Sequence, residues 1–432
     1  MERTWRWFGK NDKITLADLK QLGVEGIVTA LYDEPLGQVW SREKIRDLKD
    51  YIESYGMRWS VVESLPVTET IKYGGPDRDE QIEVYKQSLE NLGKEGIHCV
   101  CYNFMPVLDW ARTDLYHENP NGSTNLYFDW AKFAYFDIYL LQRDGAREEW
   151  ESIARGNGSN ASKAIAGRDL MAEIEAIKAV STPESDFNLV DDIVIKTQGF
   201  VAGNFKEGDS QPLVLFRKLL ALYDGVDKAQ LQENMKTWLE AIMPVCDEYD
   251  IDMCIHPDDP PFPILGMPRI LNCDEDIRTL LDAVPNPHNG LTFCAGSLSA
   301  GAHNNITELA EKYHSRTHFV HLRSCHIFPN GNFTEASHLG GRADLVELVH
   351  IFEQEEQDRI AKRRGDADAK YAFRLPMRVD HGMTMLGDET KGYNAGYSFL
   401  GRMFGLAQVQ GIIAAVDKEL GIRYTQPGFF ED

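Results

Sequence analysis

The sequence predicts an α/β fold, a (β/α)8 barrel with a helical insertion after its fourth strand. Two observations support this prediction. Short apolar runs alternate with segments that have the hydrophobic period of helices, and eight such runs occur along the 432 residues. The alternation is interrupted once, between residues 105 and 250. We therefore expect residues 1–432 to form one barrel domain, with 105–250 as an insertion and connecting helix within it.

The first four runs occupy residues 4–8, 26–31, 58–63 and 98–104. Thr15 and Asp18 resemble a capping box, so the first helix begins there and ends at Gly23. The second helix begins near Ser41 and ends at Gly56. The apolar residues that mark the second and third helices are Ile45, Leu48, Ile52, Tyr55, Ile82, Tyr85, Leu89 and Leu92.

The insertion is aromatic-rich around residues 127–141, and its Gly/Ser/Asn stretch at 156–160 predicts an exposed loop. We expect it to lie at the barrel mouth as a lid or an oligomer contact. It ends in an amphipathic helix that covers the barrel before run five. Runs five to eight occupy residues 251–256, 290–294, 317–323 and 375–380. Apolar residues marking this helix and the one before run eight are Leu231, Met235, Trp238, Leu239, Ile242, Val245, Leu345, Leu348, Val349 and Phe352.

The chain is strongly acidic, with 45 Lys and Arg against 68 Asp and Glu and a net charge of −23. Such a charge repels polyanions, so we expect neither nucleic-acid nor membrane binding. No signal peptide and no stretch approaching about 18 consecutive apolar residues is evident, which predicts a cytoplasmic protein. The seven cysteines are an odd number and predict reduced thiols, with Cys99 and Cys101 in the core.

Four potential metal ligands lie at or near the ends of successive apolar runs: His256, Cys294, His321 and Asp380. Each alone is more often a core or satisfied polar residue. Chemistry in this barrel collects at the C-terminal ends of the strands, so the four together predict a divalent metal site. Two imidazoles, a thiolate and a carboxylate suit Fe, Mn or Zn better than Mg or Ca.

The residues that follow two of these ligands leave alternatives open. Asp258 and Asp259 either support the metal ligands from behind or, as we favour, are solvated or cap the loop. Asp380 and His381 are adjacent, so both face the pocket only if the chain leaves the strand there, which Gly382 makes easier. His381 is then a free imidazole and a candidate acid or base.

Unusual motifs extend over almost the whole chain. They are residues 4–7, 59–64, 101–110, 256–261, 293–297, 321–324, 380–382 and 396–398. With these motifs the chain resembles the mannonate dehydratases, carbon–oxygen hydro-lyases of hexuronate (glucuronate) catabolism. The departures are Ala295, Val379 and Ala395, in place of an expected Thr, Pro and Pro. The segments 150–200 and 325–372 match least and carry no functional inference.

The resemblance implies a xylose-isomerase-like barrel that dehydrates D-mannonate to 2-keto-3-deoxy-D-gluconate with Mn2+ or Fe2+. The family's metal ligands correspond to the four residues at the strand ends, and its acid/base pair to His381 and Tyr397. The expected partner is a small sugar acid, and we expect a homodimer.

Three further residues at predicted strand ends, Arg6, Asn103 and Arg323, are expected to hold the substrate's carboxylate and hydroxyls. For Arg6 an exposed surface charge is an equal alternative. Three other functions are weighed. A sugar isomerase uses several carboxylates and a Lys, which these strand ends lack, and a barrel endonuclease needs a basic groove. A non-catalytic sugar-acid sensor has no reason to keep His381 and Tyr397 beside four ligands.

Overall fold

A closed barrel of eight parallel strands forms the centre of the molecule. The computed structural model describes residues 1–159, 161–199, 204–205, 211–362 and 374–425. In chain order the described strands are β1 (Glu2–Arg6), β2 (Gly26–Thr29), β3 (Arg58–Glu63), β4 (Cys99–Tyr102), β5 (Asp114–Glu118), β6 (Thr124–Phe128), β7 (Asp252–Ile255), β8 (Asn289–Cys294), β9 (Thr317–His321), β10 (Cys325–Ile327), β11 (Phe333–Glu335) and β12 (Pro376–Arg378).

The described α-helices surround the barrel and fill the insertion. They are α1 (Leu16–Gln21), α2 (Arg42–Glu53), α3 (Glu69–Tyr73), α4 (Arg78–Lys94), α5 (Trp130–Tyr135), α6 (Ala146–Ser152), α7 (Leu170–Val180), α8 (Pro183–Val190), α9 (Pro212–Ala221), α10 (Lys228–Tyr249), α11 (Asp274–Ala283), α12 (Ala295–Ser299), α13 (Ile306–Tyr313), α14 (Leu345–Lys362) and α15 (Phe399–Leu420). Shorter π-helical segments are Phe136–Leu141, Ile153–Asn157 and Asp191–Lys196, and 3-10 turns are Ala161–Ile165, His314–Arg316 and Asp388–Thr390.

The barrel closes in the order β1-β12-β9-β8-β7-β4-β3-β2. Each of the eight predicted apolar runs overlaps one of these strands, so the (β/α)8 prediction is confirmed. The helix starts were also predicted correctly, because Thr15 forms a capping box on α1 and Ser41 caps α2. Cys294 pairs with His321, and His321 pairs with Arg378, so three neighbouring strands end at one level.

The helix predicted to close the insertion is α10, which covers the barrel between β4 and β7. Its Trp238 is fully buried and packs edge-on against Tyr85 of α4 and Tyr102 of β4, with ring centroids 5.1 and 4.7 Å apart. Aromatic pairs of this geometry add to the free energy of burial. Cys99 and Cys101 are buried on the other face of β4, in the barrel core, as predicted.

The insertion also contains strands, which the sequence analysis missed. β5 and β6 form a hairpin that joins β10 and β11 in a four-stranded antiparallel sheet of order β10-β11-β6-β5. Asn121-Gly122 lies in the turn between β5 and β6, where Gly122 has φ +80°. This dipeptide between alternating apolar residues is a hairpin signal that the sequence carried. The sheet lies at the barrel mouth, because Thr124 pairs with Thr384 just after β12.

The stretch at 156–160 is not the simple exposed loop that was predicted. Residues Ile153–Asn157 form a π-helical segment, and Gly158 and Ser159 are half-buried. A Cβ on Gly158 would lie 2.0 Å from Ser162 Oγ, so this backbone packs closely on its neighbour. Asn160 lies outside the described residues.

Helix α15 is long and apolar enough to cross a bilayer by length and composition. Arg402, Gln408 and Gln410 interrupt its apolar residues, so the expectation of no run of about 18 consecutive apolar residues still holds for it. It packs against α14, however, and buries Leu406, Val409 and Ile413. One such helix is weak support for a membrane span, since a packed core helix passes the same test.

Candidate metal centre and active site

The predicted metal ligands meet at the C-terminal end of the barrel. His256, Cys294 and His321 follow or end β7, β8 and β9, and one ligand atom from each lies within 4.8 Å of the others. Asp380 follows β12, and its Oδ2 lies 3.7 Å from Cys294 Sγ and 3.8 Å from His321 Nδ1. The strand-end argument therefore selected residues that the fold brings into one cluster.

His256 has one nitrogen available for a cation. Its Nδ1 lies 2.7 Å from the carbonyl of Pro257, and a carbonyl only accepts, so Nδ1 carries a proton and Nε2 is the nitrogen left to bind a cation. Burial lowers the pKa of His256, but the Cys294 sulfur outweighs burial and raises this pKa to about 10. A metal ion bound here would take the place of the second imidazole proton, because His256 can ligate only as the neutral imidazole.

His321 is suited to the same task because it is neutral. Burial and the Arg378 guanidinium lower its pKa well below the usual range. Its buried Nδ1 has no hydrogen-bond partner among the residues that the structure describes. Its Nε2 accepts from Arg378 Nε at 3.0 Å and lies 3.8 Å from Glu63. An orphaned imidazole nitrogen beside a thiol and a carboxylate fits a borderline divalent ion.

Asp380 reaches the cluster through an unusual backbone conformation. β12 ends at Arg378, and Asp380 has φ +58°, in the left-handed region that Asp tolerates better than most residues. The chain therefore turns at Asp380, and both Asp380 and His381 face the cleft, as the prediction required. Gly382 was expected to ease this turn, but its role is to allow close packing. A Cβ there would lie 2.4 Å from the Arg402 backbone nitrogen.

Two arginines fix the Asp380 carboxylate, with Arg378 on Oδ1 and Arg323 on Oδ2. Burial disfavours ionisation of Asp380, but Arg378 and Arg323 hold its pKa well below the usual range. The carboxylate is therefore an anion whose position is set by hydrogen bonds.

Arg323 lies at the centre of a buried network. Its guanidinium donates to Asp380, to Asp259 at 2.6 Å and to Glu335 at 2.8 Å, and it also contacts Ser297 Oγ at 3.0 Å. Each of its nitrogens therefore has a partner. This arrangement makes Arg323 a holder of carboxylates, whereas its predicted contact with the substrate remains a prediction.

Neither aspartate after His256 is solvated. Asp259 belongs to this network, contrary to the favoured prediction, whereas Asp258 caps the loop backbone, as the other part of that prediction held. Asp258 and Asp259 are both 2% exposed. Asp259 accepts from Arg112 at 2.6 Å, and Arg112 and Arg323 overcome burial to keep its pKa far below the usual range. Asp258 accepts from the Leu271 amide at 2.7 Å, and burial raises its pKa to about 6. The Pro-rich sequence of this loop did not indicate these partners, because they lie far from it in the chain.

His381 and Tyr397 lie side by side beside this cluster, with ring centroids 5.1 Å apart. His381 Nδ1 lies 3.2 Å from Glu335 Oε1, so Nδ1 carries a proton and Nε2 is available. Tyr397 accepts from Arg6 Nη1 at 3.2 Å. Burial raises the pKa of Tyr397 above its usual value, although Arg6 opposes this, so the hydroxyl is protonated at neutral pH.

All of the predicted substrate contacts line the same cleft of about 470 Å³. Arg6 is 8% exposed and also contacts Glu63 at 3.4 Å, so the alternative of an exposed surface charge is wrong. Asn103 is half-buried, and its side chain makes no hydrogen bond to any residue that the structure describes. It differs in this respect from Arg323.

The sequence analysis missed several residues of the site. Glu63 ends β3, and the strand-end rule applied to every run finds it. Glu335 lies in β11, inside the segment 325–372 that was given no functional inference, and that exclusion is wrong. Arg112 is in the insertion, before β5, and no local pattern singles it out.

Comparisons with known proteins agree on one family. Residues 1–423 match the family model described as D-mannonate dehydratase (UxuA). The chain belongs to the D-mannonate dehydratase family. It is 44% identical to a mannonate dehydratase of Marinomonas sp. and 40% identical to one of Chromohalobacter salexigens, covering 98% of this chain and 100% of each relative.

A solved structure supports the same family. The crystal structure of mannonate dehydratase from Streptococcus suis serotype 2 superposes with a TM-score of 0.73 at 29% identity. The match covers 100% of this chain and 99% of that one. This D-mannonate dehydratase family member therefore shares the fold over its whole length.

Proposed function

We propose that the protein dehydrates D-mannonate to 2-keto-3-deoxy-D-gluconate in the cytoplasm, as part of hexuronate (glucuronate) catabolism. The observation that carries this proposal is a cluster of His256, Cys294, His321 and Asp380, whose members His256 and Asp380 line the same cleft as His381 and Tyr397. Membership of the D-mannonate dehydratase family supplies the substrate. We also propose that the insertion 105–250 belongs to the same catalytic unit and that the enzyme is a homodimer.

The metal is proposed to be Mn2+ or Fe2+, held by His256, Cys294, His321 and Asp380. When bound, it would supply positive charge that stabilises the charge developing on the substrate carboxylate. Arg378 is placed to orient His321, because its Nε donates to Nε2 at 3.0 Å, and Glu63 holds that guanidinium in turn by accepting from Nη2 at 2.8 Å.

His381 is the proposed base, acting at Nε2. Glu335 accepts the proton of Nδ1, which leaves the lone pair of Nε2 directed away from that carboxylate. The C2–H bond breaks, and its proton moves to Nε2. Trp110 packs on the imidazole, with ring centroids 5.3 Å apart, and so helps to fix the orientation of the ring.

Tyr397 is the proposed acid. Its hydroxyl is protonated and is held by Arg6, so it can give its proton to the C3 oxygen as the C3–O bond breaks. Water leaves, and the resulting enol takes a proton at C3 to become the 2-keto-3-deoxy acid. Arg6 also stabilises the phenolate that remains until Tyr397 is reprotonated.

Purified protein loaded with Mn2+ or Fe2+ tests the proposal directly. We expect one metal ion per chain by elemental analysis, and a product of D-mannonate that has lost the mass of one water. A sugar isomerase would give a product of unchanged mass, and a sensor would bind D-mannonate without turnover. Either result would refute the dehydratase proposal.

A further inference from the structure

A second cleft continues the active-site cleft outward, between the loops that follow β3 and β4. Its volume is about 420 Å³, and it shares Ser64, Asn103 and Asp109 with the first cleft. The three shared side chains lie where the two clefts join. A substrate held at His381 and Tyr397 therefore has one direction in which the cavity continues.

The polar groups of the three shared side chains are available to a ligand. No hydrogen bond or ion pair joins the side chain of Ser64, Asn103 or Asp109 to any residue in the described ranges. All three are half-buried. The main chain of Asp109 is fixed, since its amide donates to Gln198 at 3.1 Å. A carboxylate on a fixed backbone with free acceptor atoms is suited to bind hydroxyl groups.

The other charges of the second cleft cancel. Glu69 and Lys72 form an ion pair at 2.9 Å, and Lys72 also donates to the Met105 carbonyl. The Glu69 carboxylate is further occupied by Asn204 and Tyr223. Among the described residues that line this cleft, Asp109 is thus the carboxylate without an ion pair within 4 Å. Arg269, which donates to the neighbouring Leu108 carbonyl at 3.0 Å, interacts with Asp109 electrostatically but does not line either cleft, so the Asp109 carboxylate is the charge that faces the cavity.

We infer that Asp109 is a specificity-determining residue that binds the terminal hydroxyls of the sugar acid and repels a second carboxylate. The inference rests on the proposed function, because C2 and C3 must lie at His381 and Tyr397. Carbons 4 to 6 then extend past Asn103 toward Asp109. The site accepts an aldonic acid, with one carboxylate, and rejects the corresponding aldaric acid, with carboxylates at both ends.

The test compares D-mannonate with D-mannarate, which differs only by a carboxylate in place of the C6 hydroxymethyl group. In the metal-loaded wild type we expect kcat/KM to be at least about 100-fold lower for D-mannarate, from two like charges at close range. In Asp109→Asn we expect KM for D-mannonate to rise about tenfold with little change in kcat. The ratio of kcat/KM for D-mannonate to that for D-mannarate should fall at least about tenfold.

Asp79→Asn is the matched control, because Asp79 is on α4 with its side chain 85% exposed and the variant removes the same charge. It should leave both substrates unaffected. An unchanged preference in Asp109→Asn, or a fall in kcat alone, would overturn the inference. D-lyxonate, which lacks the C6 group, gives a check without any variant: the wild type should handle it better than D-mannarate, and the reverse order would also overturn the inference.

Dissociation constants measured by calorimetry keep the two proposals separate. If the metal-loaded wild type fails to turn over D-mannonate, the proposed function fails. Asp109 is still tested in that case by whether wild type binds D-mannonate more tightly than D-mannarate, and whether Asp109→Asn removes the difference. Equal affinities in the wild type would overturn the inference alone.

Discussion

The two sides of the barrel mouth use polar side chains in opposite ways. On the side of β9 and β12, the donors of Arg323 and the oxygens of Asp259 and Asp380 are bound to other buried groups. On the side of β3 and β4, Ser64, Asn103 and Asp109 face the cleft without such partners in the described structure. The first side holds reactive groups in place, and the second leaves hydrogen-bonding capacity for a ligand.

This difference predicts which measured property a substitution on each side will change. A change to the Arg323 network on the β9–β12 side removes a partner from a buried charge, so it lowers the stability of the fold. A change on the β3–β4 side removes only a contact with the substrate, so it affects KM. The Glu335, Ser297 and Ser64 variants below test that prediction, and the Cys294, His381 and Tyr397 variants test the metal ligand and the proton-transfer groups themselves.

The largest effect is expected for Cys294→Ser. A hydroxyl is a poor replacement for a thiolate ligand, so we expect metal content to fall strongly and turnover by at least about four orders of magnitude. The barrel should still fold, because Cys294 contributes one small side chain to the core. Elemental analysis and circular dichroism measure the two properties. Full metal occupancy in this variant would remove Cys294 from the ligand set.

His381→Asn and Tyr397→Phe should come next. Each removes one proton-transfer group and no ligand, so turnover should fall by about two to four orders of magnitude while metal content is unchanged. D-mannonate should still bind, as measured by calorimetry. Near-normal turnover in Tyr397→Phe would exclude Tyr397 as the acid, and loss of metal from either variant would show a role in ligation.

Glu335→Gln tests the supporting network. Burial raises the pKa of Glu335, but Arg323 and His381 outweigh burial and lower this pKa from 4.5 to about 2. A carboxyl with a lowered pKa stabilises the fold above its unfolded pKa and loses this contribution as pH falls through the folded value. The variant should therefore lose roughly 3 kcal/mol of unfolding free energy at pH 7 and much less near pH 2.

Urea unfolding at the two pH values measures this effect. Turnover should also fall about 10- to 100-fold, because Glu335 orients His381. Glu347→Gln in the first turn of α14 is a control outside the network. A stability loss of equal size at both pH values would show that the ionised carboxylate is not what stabilises this region.

The barrel and the metal cluster could be predicted because their signals are local. A hydrophobic period identifies each strand, and parallel strands of one barrel end at a common face, so residues at the ends of separate runs must converge. The supporting network could not be predicted in this way. Glu335 lies 46 residues from His381 and 223 from Arg112 in the chain, and only the small sheet brings them together.

Backbone conformation limited the prediction in the same way. The adjacency of Asp380 and His381 showed that the chain must leave the strand, but the turn falls at Asp380 and not at Gly382. Gly382 is needed instead for the close approach of α15, which depends on a helix that follows later in the chain. The sequence thus indicated the residues of the site, and the tertiary contacts determined which of them are held and which are free.

The smallest expected effects come from one substitution made on both sides, Ser64→Ala and Ser297→Ala. Ser64 makes no side-chain hydrogen bond within the described residues, so its loss should raise KM for D-mannonate about three- to tenfold and leave the unfolding free energy unchanged. Ser297 is fully buried, and its Oγ donates to Asp259 at 3.0 Å and lies 3.2 Å from Cys294 Sγ. Its loss should lower the free energy of unfolding by about 1–2 kcal/mol and leave KM nearly unchanged.

Steady-state kinetics and urea unfolding of both variants test whether the two sides of the mouth differ in this way. If Ser64→Ala destabilised the fold as much as Ser297→Ala, the β3–β4 side would be structural, and the contrast between the two sides of the mouth would fail.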